Sequence, residues 1–158
     1  MKKPLLLEDL LVLRAAWREK GMVVAITNGC FDLLHAGHVR YLNEVKSMVD
    51  VLVVCLNSDG SVRRLKGEGR PITPQEERAE ILLALKAVSA VIVFDEPTPR
   101  RLIEALEPDL LAKGGDWREE NIVGSDFVKS RGGRIVVVPV LPDRSSSGLI
   151  TSAQRKKI

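Results

Sequence analysis

A chain of 158 residues has room for one ordinary domain, since single cores usually serve about 100 to 200 residues. Apolar residues make up 45% and charged residues 28%, which excludes disordered, collagen-like and coiled-coil chains. The net charge of +3 and the aromatic content of 4% do not indicate a nucleic-acid partner, whereas a small anionic ligand fits them. We therefore expect one domain over residues 1–158.

The first residues lack the pattern of a secretory leader, because Glu8 and Asp9 interrupt the apolar run. Every apolar run is shorter than the roughly 18 residues of a membrane span. Cys30 and Cys55 form neither a CxxC motif nor a metal-ligand spacing, which indicates a reducing compartment without a zinc site. We expect a cytoplasmic protein with no membrane partner and no metal held by the chain itself.

The predicted elements begin with a helix over about 8–20, which ends at Gly21. Continuous runs rich in Val and Ile follow, and such runs are typical of strands buried on both faces of a parallel sheet. They lie at residues 22–26, 51–56, 88–94 and 134–141, with a weaker candidate at 109–113. Helical stretches separate them, so the pattern predicts an α/β, Rossmann-like, doubly wound parallel sheet of about five strands.

Two of the intervening helices carry start signals. Thr73 before Pro74 reads as an N-cap followed by the first helical residue, and predicts a helix over about 74–87. Thr98 and the proline after it repeat the signal, and Pro108 ends that helix.

Both histidines of the chain lie just after the first predicted strand, at the start of the next helix. The segment is His35-Ala36-Gly37-His38. A helix N-terminus offers unpaired N–H groups to phosphate, imidazole N–H groups can donate to phosphoryl oxygens, and Gly37 lets a ligand approach the backbone. Ligands of open parallel sheets bind at this edge. The spacing predicts a phosphate site; the alternative is a pair that only caps the helix or packs under a loop.

The run NGCFDLLHAGH over residues 28–38 resembles the GxFDxxHxGH signature of the cytidylyltransferase-like nucleotidyltransferases. Three further loops resemble the heptose 1-phosphate adenylyltransferase branch of that family, namely LNSD at 56–59, RLKGEGRPI at 64–72 and KGGD at 113–116. The resemblance covers about residues 8–150. Many relatives carry an additional sugar kinase domain, so we expect a stand-alone form here.

The resemblance implies transfer of AMP from ATP to D-glycero-β-D-manno-heptose 1-phosphate, giving ADP-heptose and pyrophosphate for lipopolysaccharide biosynthesis. Mg²⁺ would enter with ATP, and relatives commonly assemble, so we expect a homo-oligomer, in the simplest case a dimer. Three alternatives stay open at this point. They are glycerol-3-phosphate cytidylyltransferase, FMN adenylyltransferase and a catalytically silent nucleotide-binding regulator.

The resemblance also implies residue roles. Catalytic donors to the phosphates would be His35, His38 and Lys66, the last on a glycine-rich loop over 67–71 that we expect to be mobile. Nucleotide contacts beyond the histidines would come from Cys30, Phe31, Gly115, Asp116, Ser145, Ser146 and Ser147. Acceptor contacts would come from Asp32, Asp59, Arg78 and Arg144.

Some of these roles have simpler alternatives. Lys66 could be a solvated surface charge, and Arg78 could be an exposed helix residue that pairs with neighbouring glutamates. The serine run could be a plain N-cap. Arg144 stands where heptose relatives usually have an uncharged residue, and the family's Ser-Thr-Thr is here all serine. Serine keeps the hydroxyl donor, so we expect phosphate binding to survive this change.

Overall fold

Five parallel strands form one sheet in the computed structural model, which describes residues 3–115 and 117–139. The strands are β1 (Val24–Gly29), β2 (Val51–Asn57), β3 (Ala90–Phe94), β4 (Leu110–Gly114) and β5 (Arg134–Val138). The helices are α1 (Leu7–Glu19), α2 (Ala36–Ser47), α3 (Asp59–Lys66), α4 (Gln75–Ala84), α5 (Arg100–Leu106) and α6 (Ser125–Ser130), with a 3₁₀ turn at Glu119–Asn121. The predicted α/β parallel sheet is confirmed.

The strand order places a topological switch point beside β1. The order is β3-β2-β1-β4-β5, so the chain builds outward from β1 to one side and then continues on the other. β1 pairs with β2 on one side and with β4 on the other, all in parallel. In open α/β sheets, ligands bind beyond the carboxyl ends of the strands at this switch point. The loops after β1 and β4 are therefore where a ligand is expected.

Each face of the sheet covers its own apolar core, because alternate residues of a strand point to opposite faces. Ala25 of β1 packs with α2 and α4 on one face, through buried side chains that include Leu42 and Leu82. Its neighbour Ile26 packs with α1, α5 and α6 on the other, through side chains that include Leu10 and Ile103. None of the helices within the described ranges is long and apolar enough to cross a membrane.

The start of α4 differs from the prediction by one residue. Pro74, not Thr73, is the N-cap, because its backbone is extended (ψ 152°) and its carbonyl accepts the bond from the amide of Arg78 at 3.0 Å. Thr73 instead uses its amide to bind Asp32, at 3.1 Å. The helix also ends at Ala84, earlier than predicted, because Leu85 is extended (ψ 128°). Tertiary contacts of the preceding loop thus override the local capping signal.

Candidate active site

The two histidines lie at the N-terminus of α2, directly after the loop that follows β1. His35 is the N-cap, and its Nδ1 accepts a hydrogen bond from the amide of Gly37 at 3.1 Å. The Nδ1 of His38 accepts one from the amide of His35 at 3.4 Å. An accepting ring nitrogen carries no proton, so each neutral ring holds its proton on Nε2. The pair does cap the helix, but the cap uses Nδ1 and is compatible with donation from Nε2 to a phosphate.

His38 is held neutral by its surroundings. Burial lowers its pKa to about 4, and the nearby charges of His35 and Lys66 lower the pKa further. The centroids of the two imidazole rings are 4.0 Å apart. A neutral ring with its proton on Nε2 is a hydrogen-bond donor at neutral pH, and its low pKa makes it a poor base. The geometry therefore favours phosphate binding over proton abstraction.

The pH dependence of stability tests this neutral state. Between pH 6.5 and about 4 the unfolded imidazole of His38 binds a proton that the native ring refuses, so the free energy of unfolding falls as pH falls through that window. We expect urea unfolding of the wild type to show a steeper pH slope than His38→Gln, by up to about 1.4 kcal/mol per pH unit for one proton. Equal slopes would contradict the lowered pKa.

Gly37 has a different role from the one predicted. A Cβ at this position would lie 2.9 Å from both Cε1 and Nδ1 of His35, closer than such atoms can approach. The space above the glycine is thus occupied by the imidazole of His35 and not by a ligand. The sequence interpretation, which left this space for a ligand, is wrong in its reason, although a residue without a side chain is still required.

Gly37→Ala should therefore reduce activity with little effect on stability. The methyl group must displace the imidazole of His35, and misplacement of a catalytic group by about 1 Å can cost on the order of 100-fold in rate. The weakened cap costs about 1 kcal/mol, which the higher helix propensity of alanine offsets. Steady-state kinetics and thermal unfolding check this, with the neighbouring Ala36→Ser as control. An unchanged kcat in Gly37→Ala would show that the imidazole position is unimportant.

The loop between β1 and α2 has a strained turn at Phe31. Its φ is +45°, a left-handed conformation that a bulky residue rarely adopts. The aromatic ring is buried, with its centroid 5.4 Å from that of His38. A Cβ at Gly29 would meet this ring at 3.0 Å, which explains the glycine of the motif. Backbone donation from Cys30 and Phe31 to phosphate stays a prediction.

Asp32 ties the motif to the glycine-rich loop. Its carboxylate accepts from Nε of Arg70 at 2.5 Å and from the amides of Ile72 and Thr73 at 2.8 and 3.1 Å. Burial alone would raise the pKa of Asp32, but these donors outweigh it and hold the pKa below its ordinary value. The side chain is fully buried, so the structure provides the loop-ordering role, and direct contact with an acceptor stays a prediction.

Arg70 was quoted in a motif above but given no role by sequence reasoning. Within the described residues, its Nη2 is the one buried side-chain nitrogen or oxygen without a hydrogen-bond partner. The guanidinium therefore has capacity for a further acceptor beside Asp32. The signal in the sequence is an arginine next to a glycine-rich turn, which by itself does not reveal the inward direction of the side chain.

Arg78 is a buried junction between three elements. Its guanidinium donates to the carbonyls of Thr73, Cys30 and Asn57 and to Oδ1 of Asp59, the last at 2.7 Å. The side chain is 0% exposed, so the alternative of a surface residue pairing with glutamates is wrong. In this arrangement Arg78 positions the loops after β1 and β2, and Asp59 is oriented by it. Direct contact of either residue with substrate stays a prediction.

Lys66 is the last residue of α3, and its side chain is exposed. It lies close enough to His38 to affect the pKa of that ring, which places its charge on the histidine side of the site. Arg64, which family logic would make a helper, turns away and pairs with Asp95 at 2.9 Å. The phosphate role of Lys66 thus agrees with its position and stays a prediction.

The edge formed by β4 brings one further cation to the site. Lys113 places Nζ 3.0 Å from Oδ1 of Asn28, the β1 residue just before the motif glycine. Sequence reasoning quoted Lys113 in a motif but assigned it no role. Gly115 follows with φ +117°, a conformation that favours glycine, and its amide donates to Val138 at 3.0 Å. The predicted residues Asp116, Arg144, Ser145, Ser146 and Ser147 lie outside the described residues.

The profile of the cytidylyltransferase-like family matches residues 26–157. The chain belongs to this family. Membership identifies it as a nucleotidyltransferase domain, and it agrees with a paired-histidine motif at the switch point of a parallel sheet.

Named relatives of this cytidylyltransferase-like chain include bifunctional HldE proteins. The one from Mesorhizobium japonicum is 54% identical over 136 residues, and the one from Geobacter metallireducens is 53% identical over 140 residues. These alignments cover 86% and 89% of this chain but 27% and 29% of the relatives. The chain thus spans less than a third of the length of the relatives it matches.

Solved structures agree on the fold. The lipopolysaccharide core biosynthesis protein from Thermoplasma volcanium has a TM-score of 0.62 at 28% identity, covering 77% of this chain and 98% of that one. The pantoate-beta-alanine ligase from Francisella tularensis has a TM-score of 0.61 at 15% identity, covering 96% of this chain and 76% of that one. The second comparison supports the architecture only.

Proposed function

We propose that the chain transfers AMP from ATP to D-glycero-β-D-manno-heptose 1-phosphate, giving ADP-heptose and pyrophosphate. The observation that carries the proposal is the pair of imidazoles at the start of α2, each with its neutral-state proton on Nε2. Two such donors beside a helix N-terminus suit a polyphosphate. The heptose-like loops at 56–59, 64–72 and 113–116 support the acceptor, together with about half identity to the HldE proteins.

The chemistry requires alignment more than proton transfer. An oxygen of the sugar phosphate attacks the α-phosphorus of ATP, a new P–O bond forms, and the bond to the bridging oxygen breaks as pyrophosphate leaves with the electron pair. A phosphate monoester with a second pKa near 6 is already a dianion at neutral pH, so no general base is needed. Asp32 and His38 are both unsuited to that task, since the first is fully bonded and the second has a pKa of about 4.

Charge stabilisation is then the work of donors and cations. His35 and His38 would donate to phosphate oxygens, and Lys66 would approach the triphosphate from the end of α3. Mg²⁺ belongs to the proposal as part of the substrate complex. Across residues 3–115 and 117–139 no group of three His, Cys, Asp or Glu side chains could hold a metal ion, so we place Mg²⁺ on the triphosphate itself.

Pyrophosphate release tests the reaction and separates the alternatives. Each of the four ribonucleoside triphosphates is combined with heptose 1-phosphate, glycerol 3-phosphate or FMN as acceptor, and we expect turnover with ATP and heptose 1-phosphate. Turnover confined to CTP and glycerol 3-phosphate, or to ATP and FMN, would replace the acceptor and keep the reaction class. Nucleotide binding without turnover in any combination would favour the silent regulator.

A homodimer and a cytoplasmic location belong to the same proposal. The family resemblance supports the first. The second is supported by two cysteines that are both free, one of them Cys55, whose pKa burial raises to about 12. Light scattering after size-exclusion chromatography measures the mass, and a monomer at micromolar concentration would contradict the dimer.

A further inference from the structure

Lys113 is a half-buried cation at the switch point, and the mechanism above does not use it. It lies near the carboxyl end of β4, next to β1, and its ammonium group contacts only one residue of that strand by hydrogen bonds. Nζ is 3.0 Å from Oδ1 of Asn28 and 3.3 Å from its carbonyl oxygen. Both acceptors are neutral. The lysine is thus placed by Asn28 immediately before Gly29, where the phosphate-binding motif begins.

The ammonium group has no counter-ion in the part of the chain that the structure describes. Eleven ion pairs are formed there, and none of them includes Lys113. Its remaining neighbour is the ring of Trp117, whose centroid is 5.4 Å from Nζ, a weak attraction for a cation. Burial lowers the pKa of Lys113, as expected for a charge removed from water without an anionic partner. Such a charge is costly to stability, which favours a role in binding an anion.

We propose that Nζ of Lys113 binds the α-phosphate of the nucleotide. The proposal rests on the function proposed above. The imidazole pair at α2 is assigned to the middle of the polyphosphate, and Asp116, three residues after Lys113, to the base or ribose. The phosphate that lies between nucleoside and imidazoles is the α-phosphate. Because this phosphorus is the one attacked, a cation there also stabilises the charge that develops in the transition state, which makes Lys113 a catalytic residue.

Calorimetric titration with AMP and with adenosine tests the assignment without any acceptor. AMP carries the α-phosphate and adenosine lacks it. We expect Lys113→Met to bind AMP about 10- to 100-fold more weakly than the wild type, the usual worth of one charge-assisted hydrogen bond, and to bind adenosine equally well. Lys113→Arg should recover part of the AMP affinity. Lys129→Met removes an exposed lysine from α6 and should change neither titration.

Thermal unfolding provides a readout that a purely structural lysine would not give. Because the ammonium group has no anionic partner, we expect Lys113→Met to unfold at the same temperature as the wild type or higher, while its kcat falls. Lys113→Gln serves as a second neutral variant should Lys113→Met aggregate. Equal loss of AMP and adenosine affinity, or a lowered unfolding temperature with unchanged AMP affinity, would overturn the proposal.

The titrations also separate this proposal from the proposed function. Wild-type protein that does not adenylylate heptose 1-phosphate refutes the acceptor assignment but leaves the difference between AMP and adenosine to decide on Lys113. Unchanged AMP affinity in Lys113→Met, together with a raised KM for heptose 1-phosphate, would assign the lysine to the acceptor phosphate and refute its place at the α-phosphate.

Discussion

His38→Ala should lower kcat by about 10² to 10³ while the protein stays folded, the usual loss for one preorganised donor to a transition state. The ring holds its proton on Nε2 because its Nδ1 accepts from the backbone at 3.4 Å, and its pKa of about 4 keeps it neutral. Removal of the ring therefore removes a donor, not a base. Initial rates of pyrophosphate release measure the effect.

His38→Gln is the matched control, because the amide nitrogen of glutamine can still donate a hydrogen bond. We expect its kcat to lie between those of the wild type and His38→Ala. A wild-type rate in His38→Ala would remove this histidine from the mechanism. A rate that falls only below pH 6 would instead indicate that the charge of the ring matters.

Arg78→Met should destabilise the protein by about 3 to 5 kcal/mol, the cost of removing one partner of a buried charged network. The substitution leaves the carbonyls of Cys30, Asn57 and Thr73 and the carboxylate of Asp59 without their donor. For a chain of this size, each kcal/mol corresponds to about 2 to 4 °C in the unfolding temperature. Urea and thermal unfolding both measure the loss.

Arg64→Met provides the comparison for Arg78→Met. Arg64 is an arginine in an exposed ion pair with Asp95, and such pairs contribute less than about 1 kcal/mol. If the two variants lost equal stability, the buried junction would not hold the loops after β1 and β2 together. Activity of Arg78→Met at low temperature, where the variant is folded, then reports how far the same contacts also position the site.

The fold could be predicted from the sequence because each strand is a continuous apolar run. β4 gave the weakest signal, since Lys113 and the glycines after it interrupt the run, yet these are the residues that bring the strand to the site. The start of α4 was displaced by one residue because Asp32 binds the amide of Thr73. Local capping patterns cannot reveal a contact with a residue about 40 positions away.

The site was predictable in its motif and not in its supporting contacts. Two histidines at a strand-to-helix turn indicate phosphate binding from spacing alone. The inward direction of Arg78, the pairing of Arg70 with Asp32 and the place of Lys113 beside Asn28 depend on which loops meet in three dimensions. An arginine on a polar helix reads as exposed until the sheet order places two strand ends beside it.

A crystal structure with α,β-methylene-ATP tests most directly whether the paired imidazoles hold the polyphosphate. We predict phosphate oxygens about 3 Å from Nε2 of both His35 and His38, with the adenosine beyond the end of β4. A nucleotide bound at another edge of the sheet, or one whose phosphates contact neither ring, would contradict that assignment.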